Sequence, residues 1–198
     1  MSTAGIVLAA GFSRRLGRPK QELVLGGVTL LQRAVQTANA AGIVPIQVVL
    51  NSAAKPSFAL GSEVCNVVFN AGAEEGLASS IRVGVESLLP LGEIGGAVLM
   101  SCDQILLTPM HLRSLYTQPE VMTASSYGGK RGIPAYFPRR YFQELLQLQG
   151  DVGARTLLSS ARFIEAEELL LDIDTEPDFE RAKELFTGAM VVSSTQPD

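Results

Sequence analysis

The residues best suited to chemistry form a short glycine-rich and basic segment near the start of the chain. An apolar run at residues 5–8 is followed by small residues up to Gly11 and then by Ser13, Arg15 and Lys20. Small residues let backbone N–H groups approach a ligand closely, and clustered cations suit a polyphosphate. Because α/β proteins bind ligands at the carboxyl ends of their strands, the segment predicts a nucleoside triphosphate site.

The spacing of this segment excludes two commoner phosphate-binding motifs. A P-loop has four residues between its glycines and continues with Gly-Lys and then Ser or Thr. Here five residues separate Gly11 from Gly17, and Arg18-Pro19 follows. The dinucleotide fingerprint Gly-x-Gly-x-x-Gly fails because residue 13 is Ser. The remaining alternative is a solvated basic loop, but the density of small residues and cations favours a binding site.

The segment resembles the signature of the MobA-like nucleotidyltransferases, Leu-Ala-Ala-Gly-x-Ser-x-Arg-x-Gly-x-x-Lys. Every fixed position is present, as Leu8, Ala9, Ala10, Gly11, Ser13, Arg15, Gly17 and Lys20. The resemblance extends over about residues 4–187, through Cys102-Asp103-Gln104, Gly132-Ile133-Pro134, Gly150 to Arg155 and Asp172 to Thr175. These later motifs resemble the molybdenum cofactor cytidylyltransferase branch, which transfers CMP from CTP to molybdopterin phosphate and releases pyrophosphate.

The resemblance implies a Mg²⁺-dependent enzyme and assigns roles within the basic segment. The nucleotide would be bordered by Leu8, Ala9, Ala10, Gly11 and Ser13. Arg15 and Lys20 would contact the β- and γ-phosphates and stabilise charge on the α-phosphate as pyrophosphate leaves. Arg14 and Arg18 match no fixed position, so a peripheral phosphate role and a solvated surface charge both stay open. Ala10 favours CTP, since relatives that use GTP tend to carry Gly there.

Two carboxylates that follow apolar runs are predicted to hold the metal ion. Asp103 comes after the run at residues 97–101, and Asp174 directly precedes Thr175. Mg²⁺ prefers oxygen ligands and keeps several waters, so one or two carboxylates suffice. On position alone, Asp103 could cap a helix or turn and Thr175 the helix after it, whereas the resemblance implies metal binding by both carboxylates. Strand alternation puts Asp172 on the side of Asp174, and we expect Asp172 to make a structural hydrogen bond.

Three further segments are expected to complete the site. Asn70 and Ser79 flank a turn between a strand and a helix. The resemblance places them with Ser80 beside the nucleobase and ribose, and ordinary helix capping is the open alternative. The molybdopterin acceptor would be bound by Gly132, Pro134, Asp151 and Arg155. For the turn at residues 150–155, an interhelical connection with a local Asp–Arg ion pair is the alternative.

Composition narrows the class of protein. The chain has 198 residues, of which 46% are hydrophobic and 18% charged, and this fits one domain over residues 1–187 followed by a disordered tail at 188–198. A net charge of −4 without a long basic run argues against nucleic-acid binding. No apolar run reaches the length of a membrane span and no signal peptide precedes the first strand, so a cytoplasmic protein is expected.

The histidine and the two cysteines have no predicted catalytic role. His111 is the lone histidine and falls within a predicted helix, so it cannot anchor a metal cluster. Cys65 and Cys102 lack CxxC spacing and are expected to be small buried residues.

Strand-like and helix-like runs alternate along the chain and predict a Rossmann-like three-layer α/β/α fold with a mostly parallel sheet. Strands are predicted at residues 5–10, 46–50, 64–69, 97–101, 121–127, 133–137 and within 166–173. Helices are predicted at 29–41, 77–89, 138–148, 153–161 and 177–186, with another that starts at Thr108-Pro109. The pair of strands around the glycine-rich turn at 128–132 predicts a small antiparallel insertion that forms a lid over the substrate.

Two alternatives to cytidylyl transfer onto molybdopterin remain. The acceptor could be a sugar or polyol phosphate, although the motif at residues 150–155 argues against it. The protein could also be a non-catalytic maturation factor that binds molybdenum cofactor and delivers it to a client molybdoenzyme. The intact set of Arg15, Lys20, Asp103 and Asp174 argues against lost chemistry.

Overall fold

The structure is a computed structural model that describes residues 1–53 and 65–193. Its strands are β1 Ser2–Leu8, β2 Val24–Leu25, β3 Val28–Thr29, β4 Ile46–Asn51, β5 Asn66–Asn70, β6 Ile94–Ser101, β7 Thr123–Tyr127, β8 Lys130–Pro138 and β9 Arg162–Glu165. Its α-helices are α1 Leu30–Ala40, α2 Leu77–Leu88, α3 Pro109–Leu115, α4 Phe142–Leu146, α5 Arg155–Leu158 and α6 Glu176–Ser193. Short 3-10 turns cover Lys20–Glu22, Ala73–Glu75, Arg139–Tyr141 and Glu167–Leu170.

Seven of these strands form one sheet in the order β5-β4-β1-β6-β8-β7-β9. β1 pairs in parallel with β4 and β6, β4 pairs in parallel with β5, and β7 pairs in parallel with β9. β8 runs antiparallel to both of its neighbours, β6 and β7. The carboxyl ends of β1 and β6 therefore lie side by side, and the predicted mostly parallel sheet is confirmed.

Helices cover both faces of the sheet and give the predicted three layers. Along β1, Val7 packs on one face with α1 and α3, while Ile6 and Leu8 pack on the other with α2, α4 and α5. This double burial explains why the strand reads as a continuous apolar run. A third apolar cluster joins α6 to the β2–β3 pair and includes Ile105 and Ile173, which immobilises the two segments that carry the predicted metal ligands.

Side-chain caps begin two of the helices, and the sequence predicted the one at Thr108. The Thr29 hydroxyl accepts a hydrogen bond from the Gln32 N–H, and the Gln32 side-chain oxygen accepts one from the Thr29 N–H, so a complete capping box begins α1. Thr108 accepts from the N–H of His111, with Pro109 at the first position of α3. Both features depend on residues three positions apart, which the sequence displays directly.

The predicted lid is wrong. Strands β7 and β8 belong to the main sheet, because residues 134–138 of β8 are buried against it, whereas a lid would leave one face exposed to solvent. The small antiparallel sheet is instead the β2–β3 pair, joined at Gly26 and Gly27. Both of those glycines have positive φ, which a tight two-residue turn requires.

The predicted strand at residues 166–173 is also wrong. The strand is β9, which ends at Glu165, and Glu167–Leu170 form a 3-10 turn. Ala166 and Leu169 are buried by that turn, so their apolar character reflects core packing and not strand alternation. The predicted helices at 138–148 and 153–161 shorten to α4 and α5.

The remaining boundaries concern the ends of predicted segments. The strand predicted from Val64 starts at Asn66, and Val64 lies outside the described residues. Helix α6 continues to Ser193, and residues 194–198 lie outside the described residues, so the disordered tail stays a prediction. In the part of the chain that the structure describes, no helix has both the length and the apolar character needed to cross a membrane.

Candidate active site

A cleft of about 780 Å³ opens at the carboxyl ends of β1 and β6. The basic segment after β1 forms one side, and the β7–β8 hairpin and the start of α5 form another. Its lining includes Leu8, Ala9, Ala10, Gly11, Ser13, Arg15, Lys20, Asp103, Gly132, Asp151, Arg155, Asp172 and Asp174. Most of the predicted site residues therefore border one cavity, although Leu8 and Asp174 are 166 positions apart in the chain.

Ser13 folds the basic segment back on itself. Its carbonyl oxygen accepts hydrogen bonds from the N–H groups of Leu16 and Gly17, and its hydroxyl accepts from the N–H of Lys20 at 3.1 Å. Ser13 has φ of 48° and Gly17 has φ of 73°. Left-handed backbone is costly for a residue with a side chain, and such strain concentrates at functional sites. The turn delivers the Lys20 side chain into the cleft.

Lys20 lies between two carboxylates. Its Nζ donates to Asp103 Oδ2 at 2.7 Å and to Asp174 Oδ1 at 2.8 Å, while Arg15 donates to the other oxygen of Asp174 at 2.5 Å. Burial alone would lower the pKa of Lys20, but Asp103 and Asp174 outweigh it and raise that pKa above its ordinary value. Burial works against the charged form of Asp174 too, yet Lys20 and Arg15 lower its pKa. Lys20 and Asp174 are therefore both charged at neutral pH.

Three carboxylates converge beside Lys20. Ligand oxygens of Asp103, Asp172 and Asp174 all lie within 4.8 Å of one another. Asp103 also accepts a hydrogen bond from the hydroxyl of Ser101, at the end of β6. Hard oxygen donors at this spacing fit Mg²⁺ or Mn²⁺, which bind carboxylates and retain several waters. We name these three residues the carboxylate cluster.

Asp172 is the member of the cluster whose role the sequence did not indicate. We expected a structural hydrogen bond, but no other described residue donates one to its carboxylate, and its backbone N–H donates to the carbonyl oxygen of Leu170. Burial, together with Asp103 and Asp174, raises its pKa. Ile173 is fully buried, and the carboxylates of its two neighbours lie close together, as alternation in the sequence predicted. The sequence carried no signal that would assign Asp172 to a metal site.

The two unassigned arginines of the basic segment lie in different surroundings. Arg14 lines the cleft, with its guanidinium 5.7 Å from the centre of the Phe12 ring. Arg18 pairs with Glu176 at 2.6 Å and lies over the ring of Phe179, which ties the segment to α6. A peripheral phosphate role therefore remains open for Arg14, and Arg18 has a structural partner.

Asn70 and Ser79 are brought together, but not to the cleft. The Asn70 amide donates to Ser79 Oγ at 2.8 Å and to Ser80 Oγ at 3.0 Å, and its carbonyl oxygen accepts from the Gly72 N–H. Of these residues, Ser80 is among the described residues that line the cleft, and Asn70 and Ser79 are not. Their polar groups fix the turn between β5 and α2, so a direct contact with nucleotide stays a prediction without geometric support.

The predicted acceptor residues divide between the cleft surface and its support. Asp151 accepts a hydrogen bond from the N–H of Leu77 at 3.2 Å and so caps α2, while also bordering the cleft. Arg155 lines the cleft at the start of α5, and among the described residues no ion pair joins it to Asp151. Gly132 also lines the cleft, whereas Pro134 is buried beneath it, with its carbonyl oxygen bonded to Ser125.

The histidine and the cysteines lie where the sequence placed them. His111 is in α3 and shares a hydrogen bond of 2.7 Å with Ser125, and burial lowers its pKa. Cys65 and Cys102 are both buried. Burial raises the pKa of Cys102 to about 12, so its thiol is neutral and unreactive.

A model of the MobA-like NTP transferase domain matches residues 5–169. The chain belongs to the MobA-like NTP transferase family. Membership makes this MobA-like protein a nucleotidyltransferase, in agreement with the signature segment after β1. The match includes the basic segment, Asp103, the β7–β8 hairpin and the turn before α5, whereas Asp172 and Asp174 lie beyond its end.

Two named proteins are similar to this MobA-like chain, one over most of its length and the other over a shorter part. Purine catabolism protein PucB of Bacillus subtilis is 30% identical over 195 residues, which cover 90% of this chain and 95% of that protein. The probable molybdenum cofactor guanylyltransferase of Opitutus terrae is 38% identical over 79 residues, which cover 40% of this chain and 39% of that protein.

Solved structures give the same fold. Rv0371c from Mycobacterium tuberculosis is 32% identical in sequence to this MobA-like chain. Its crystal structure matches with a TM-score of 0.77 and covers 93% of this chain and 99% of that one. A second structure of Rv0371c is a complex with manganese, with 30% identity, a TM-score of 0.74 and coverage of 93% and 99% of the two chains.

Proposed function

We propose that this MobA-like protein transfers CMP from CTP to a molybdopterin-type cofactor, with Mg²⁺, and releases pyrophosphate. The observation that carries the proposal is the contact of Lys20 with both Asp103 and Asp174 at one edge of the sheet. The signature cation thereby meets the metal-binding carboxylates inside a cleft large enough for two ligands. This arrangement suits transfer of a nucleotide, in which negative charge must be neutralised on a triphosphate.

The bond changes in this reaction need no protein nucleophile. An oxygen of the acceptor phosphate attacks the α-phosphorus of CTP, the bond to the β-phosphate oxygen breaks, and pyrophosphate leaves with the electron pair. The chain contributes position and charge, which are the main sources of catalysis in phosphoryl chemistry. Lys20 and Arg15, paired with Asp174 here, would bind phosphate oxygens once a triphosphate occupies the cleft.

The carboxylate cluster would hold the divalent ion. When bound, Mg²⁺ supplies charge neutralisation and alignment of the triphosphate. The related Rv0371c has been crystallised as a complex with manganese, which supports the proposal of a divalent ion for this protein. Lys20 keeps the unbound cluster partly neutralised, which holds Asp103 and Asp174 in one place and limits their mutual repulsion.

The acceptor is proposed on the name of one relative and on the lining of the cleft. The relative from Opitutus terrae is a probable molybdenum cofactor guanylyltransferase. The cleft wall beside Gly132 includes the guanidinium of Arg155, a donor that can bind a phosphate group. A client molybdoenzyme would then receive the product, and we propose that the reaction takes place in the cytoplasm.

A second candidate donor is GTP. The 38% identity to a guanylyltransferase over 79 residues favours it, whereas Ala10 favours CTP. Both candidates share the acceptor, the carboxylate cluster and the leaving group. The choice between them depends on the fit of the base beside the loop after β1.

The deciding experiment incubates the pure protein with each of the four nucleoside triphosphates, Mg²⁺ and molybdopterin, and measures pyrophosphate. We expect release that requires molybdopterin and is fastest with CTP. Release that is fastest with GTP would contradict cytidylyl transfer and leave molybdopterin as acceptor. No release with any nucleotide would contradict the proposal, and release only with a sugar or polyol phosphate would replace the acceptor.

A further inference from the structure

Gln104 is bonded to two walls of the cleft at once. Its backbone pairs with Asp172 of the carboxylate cluster in an isolated antiparallel bridge, and it directly follows Asp103. Its side-chain amide crosses to the β7–β8 hairpin, where Nε2 donates to the carbonyl oxygen of Ile133 at 3.0 Å and to the hydroxyl of Tyr127 at 3.3 Å. One residue thus connects the cluster to the hairpin.

The hairpin wall is itself held by these bonds. The Tyr127 hydroxyl donates to the same Ile133 carbonyl oxygen at 2.7 Å, so the two side chains and that carbonyl form a closed set of three hydrogen bonds. The Tyr127 hydroxyl lies so close to Gly132 that an added Cβ there would come within 2.7 Å of it. All four residues, Gln104, Tyr127, Gly132 and Ile133, line the cleft.

The carbonyl oxygen of the Gln104 amide has no partner. The residue is 9% exposed, and Oε1 is buried without a hydrogen bond from any described residue. A buried acceptor without a donor is costly, and a methionine of similar length could fill the same space without that cost. An amide in this position therefore indicates a function beyond packing, which is the bonding of its Nε2 to the hairpin.

We propose that Gln104 is a positioning residue for nucleotidyl transfer. It holds the hairpin wall, against which the acceptor would lie, at a fixed distance from the carboxylate cluster. This inference rests on the proposed function. In-line attack requires near-contact between acceptor oxygen and phosphorus, and a misplacement of about 1 Å costs about 100-fold in rate.

The test replaces the amide and keeps its volume, as Gln104→Met. We expect kcat with CTP, Mg²⁺ and molybdopterin to fall about 10- to 100-fold, with a raised KM for molybdopterin and an unchanged KM for CTP. Mn²⁺ binding, followed by electron paramagnetic resonance of the free ion, should stay as in wild type. The proposal would be overturned if Mn²⁺ binding weakened by the same factor as kcat, or if kcat and the KM for molybdopterin were both unchanged.

A double-mutant cycle keeps the test sharp if Gln104→Met is poorly folded. Tyr127→Phe removes one hydroxyl from the same set of hydrogen bonds. We therefore expect kcat to fall in this variant too, but by less than in Gln104→Met. The double variant should lose no more than Gln104→Met alone, whereas multiplied losses would mean that the two side chains act separately. Gln47→Met is the control, because Gln47 is buried on β4 and does not border the cleft in the described structure.

Calorimetric binding of molybdopterin in the absence of nucleotide separates this proposal from the proposed function. Wild type should bind more tightly than Gln104→Met, whether or not pyrophosphate is released. If wild type releases pyrophosphate, and both proteins bind molybdopterin equally and turn over at the same rate, the role of Gln104 is rejected while the proposed function stands. Absence of release from wild type with every nucleotide would reject the proposed function, and equal binding would then reject both.

Discussion

At the scale of single residues, Lys20 is the side chain that contacts two of the three carboxylates in the cleft. It joins the segment after β1 to carboxylates that follow β6 and precede α6, and those carboxylates keep it charged. Because its partners are also the proposed metal ligands, the same atoms can serve a salt bridge in the free protein and a triphosphate with its ion in the complex. Substituting Lys20 and its neighbours one at a time tests what each side chain contributes.

Asp103→Ala should abolish transfer while the protein stays folded. The substitution removes one oxygen ligand and one partner of Lys20, and loss of a metal ligand should remove several kcal/mol of transition-state stabilisation, about 1000-fold in kcat. Pyrophosphate release and thermal unfolding are the measurements. Glu74→Ala is the control, because Glu74 is an exposed carboxylate that lines the cleft outside the cluster. Near wild-type turnover with Mg²⁺ would remove Asp103 from the metal site.

Arg15→Ala and Lys20→Ala should impair kcat far more than Arg14→Ala. Arg15 and Lys20 contact Asp174, whereas Arg14 lies over Phe12 at the cleft wall. Each lost contact to developing charge should cost about 10²- to 10³-fold. The comparison uses kcat for the three variants with the same nucleotide. Similar losses for all three would show that the cations act as a diffuse positive field.

Ala10→Gly should increase the use of GTP. The methyl group at position 10 narrows the space beside the backbone where a larger purine would lie, and Ala10 is buried in the cleft wall. A mismatch of this kind is worth about 1–3 kcal/mol, or about 10- to 200-fold in kcat/KM. The ratio of kcat/KM for CTP and GTP is the measurement. An unchanged ratio would move base selection to the segment at residues 70–80.

At the scale of elements, the site depends on close docking of two loops. Gly76 precedes α2, and a Cβ there would lie 2.8 Å from the carbonyl oxygen of Gly150 and 2.9 Å from Cα of Asp151. Across this contact Asp151 and Gly150 accept the N–H groups of Leu77 and Ala78. The turn at residues 150–154 therefore completes the N-terminus of α2 while it also borders the cleft.

Gly76→Ala should destabilise the protein and displace this turn. Its φ of 120° is strained for a residue with a side chain, and the new methyl group would meet backbone atoms that cannot move cheaply. A loss of about 2–4 kcal/mol is expected, which lowers the Tm by roughly 4–16 °C. Gly92→Ala is the control, since nothing lies within 4 Å of its added Cβ. Equal Tm values for the two variants would contradict the docking.

At the scale of the whole molecule, the carboxylate cluster links stability to metal ions and to pH. Its residues come from segments on either side of the β7–β8 hairpin and are closed by the apolar cluster beneath α6. An ion that binds only the folded chain stabilises all of it. Mn²⁺ at about 100 times its Kd should add about 2.7 kcal/mol, or roughly 5–10 °C in Tm.

The increase in Tm should disappear as pH falls. The pKa of Asp172 is raised by burial and by Asp103 and Asp174, so protons compete with the ion at a higher pH than they do at an ordinary carboxylate. Without metal, the contribution of Asp172 to stability depends on pH in the opposite direction. Because its pKa is raised in the folded state, Asp172 stabilises the fold at low pH, and this contribution is lost as pH rises through that pKa. Thermal unfolding with and without Mn²⁺ across pH checks both. A metal effect that does not change with pH would exclude Asp172 from the cluster.

The sequence by itself determined the alternation of strands and helices, the cap at Thr108 and the family, and it singled out Lys20, Asp103 and Asp174, which the fold brings together. These follow from residues near each other in the chain, where capping, burial and motif spacing are visible. Only the tertiary structure decided that Asp172 joins the cluster, that Asn70 is used inside a turn and that Gln104 spans two walls. Those outcomes depend on contacts between distant segments, and the final packing of a chain sets which polar groups find partners and which face a ligand.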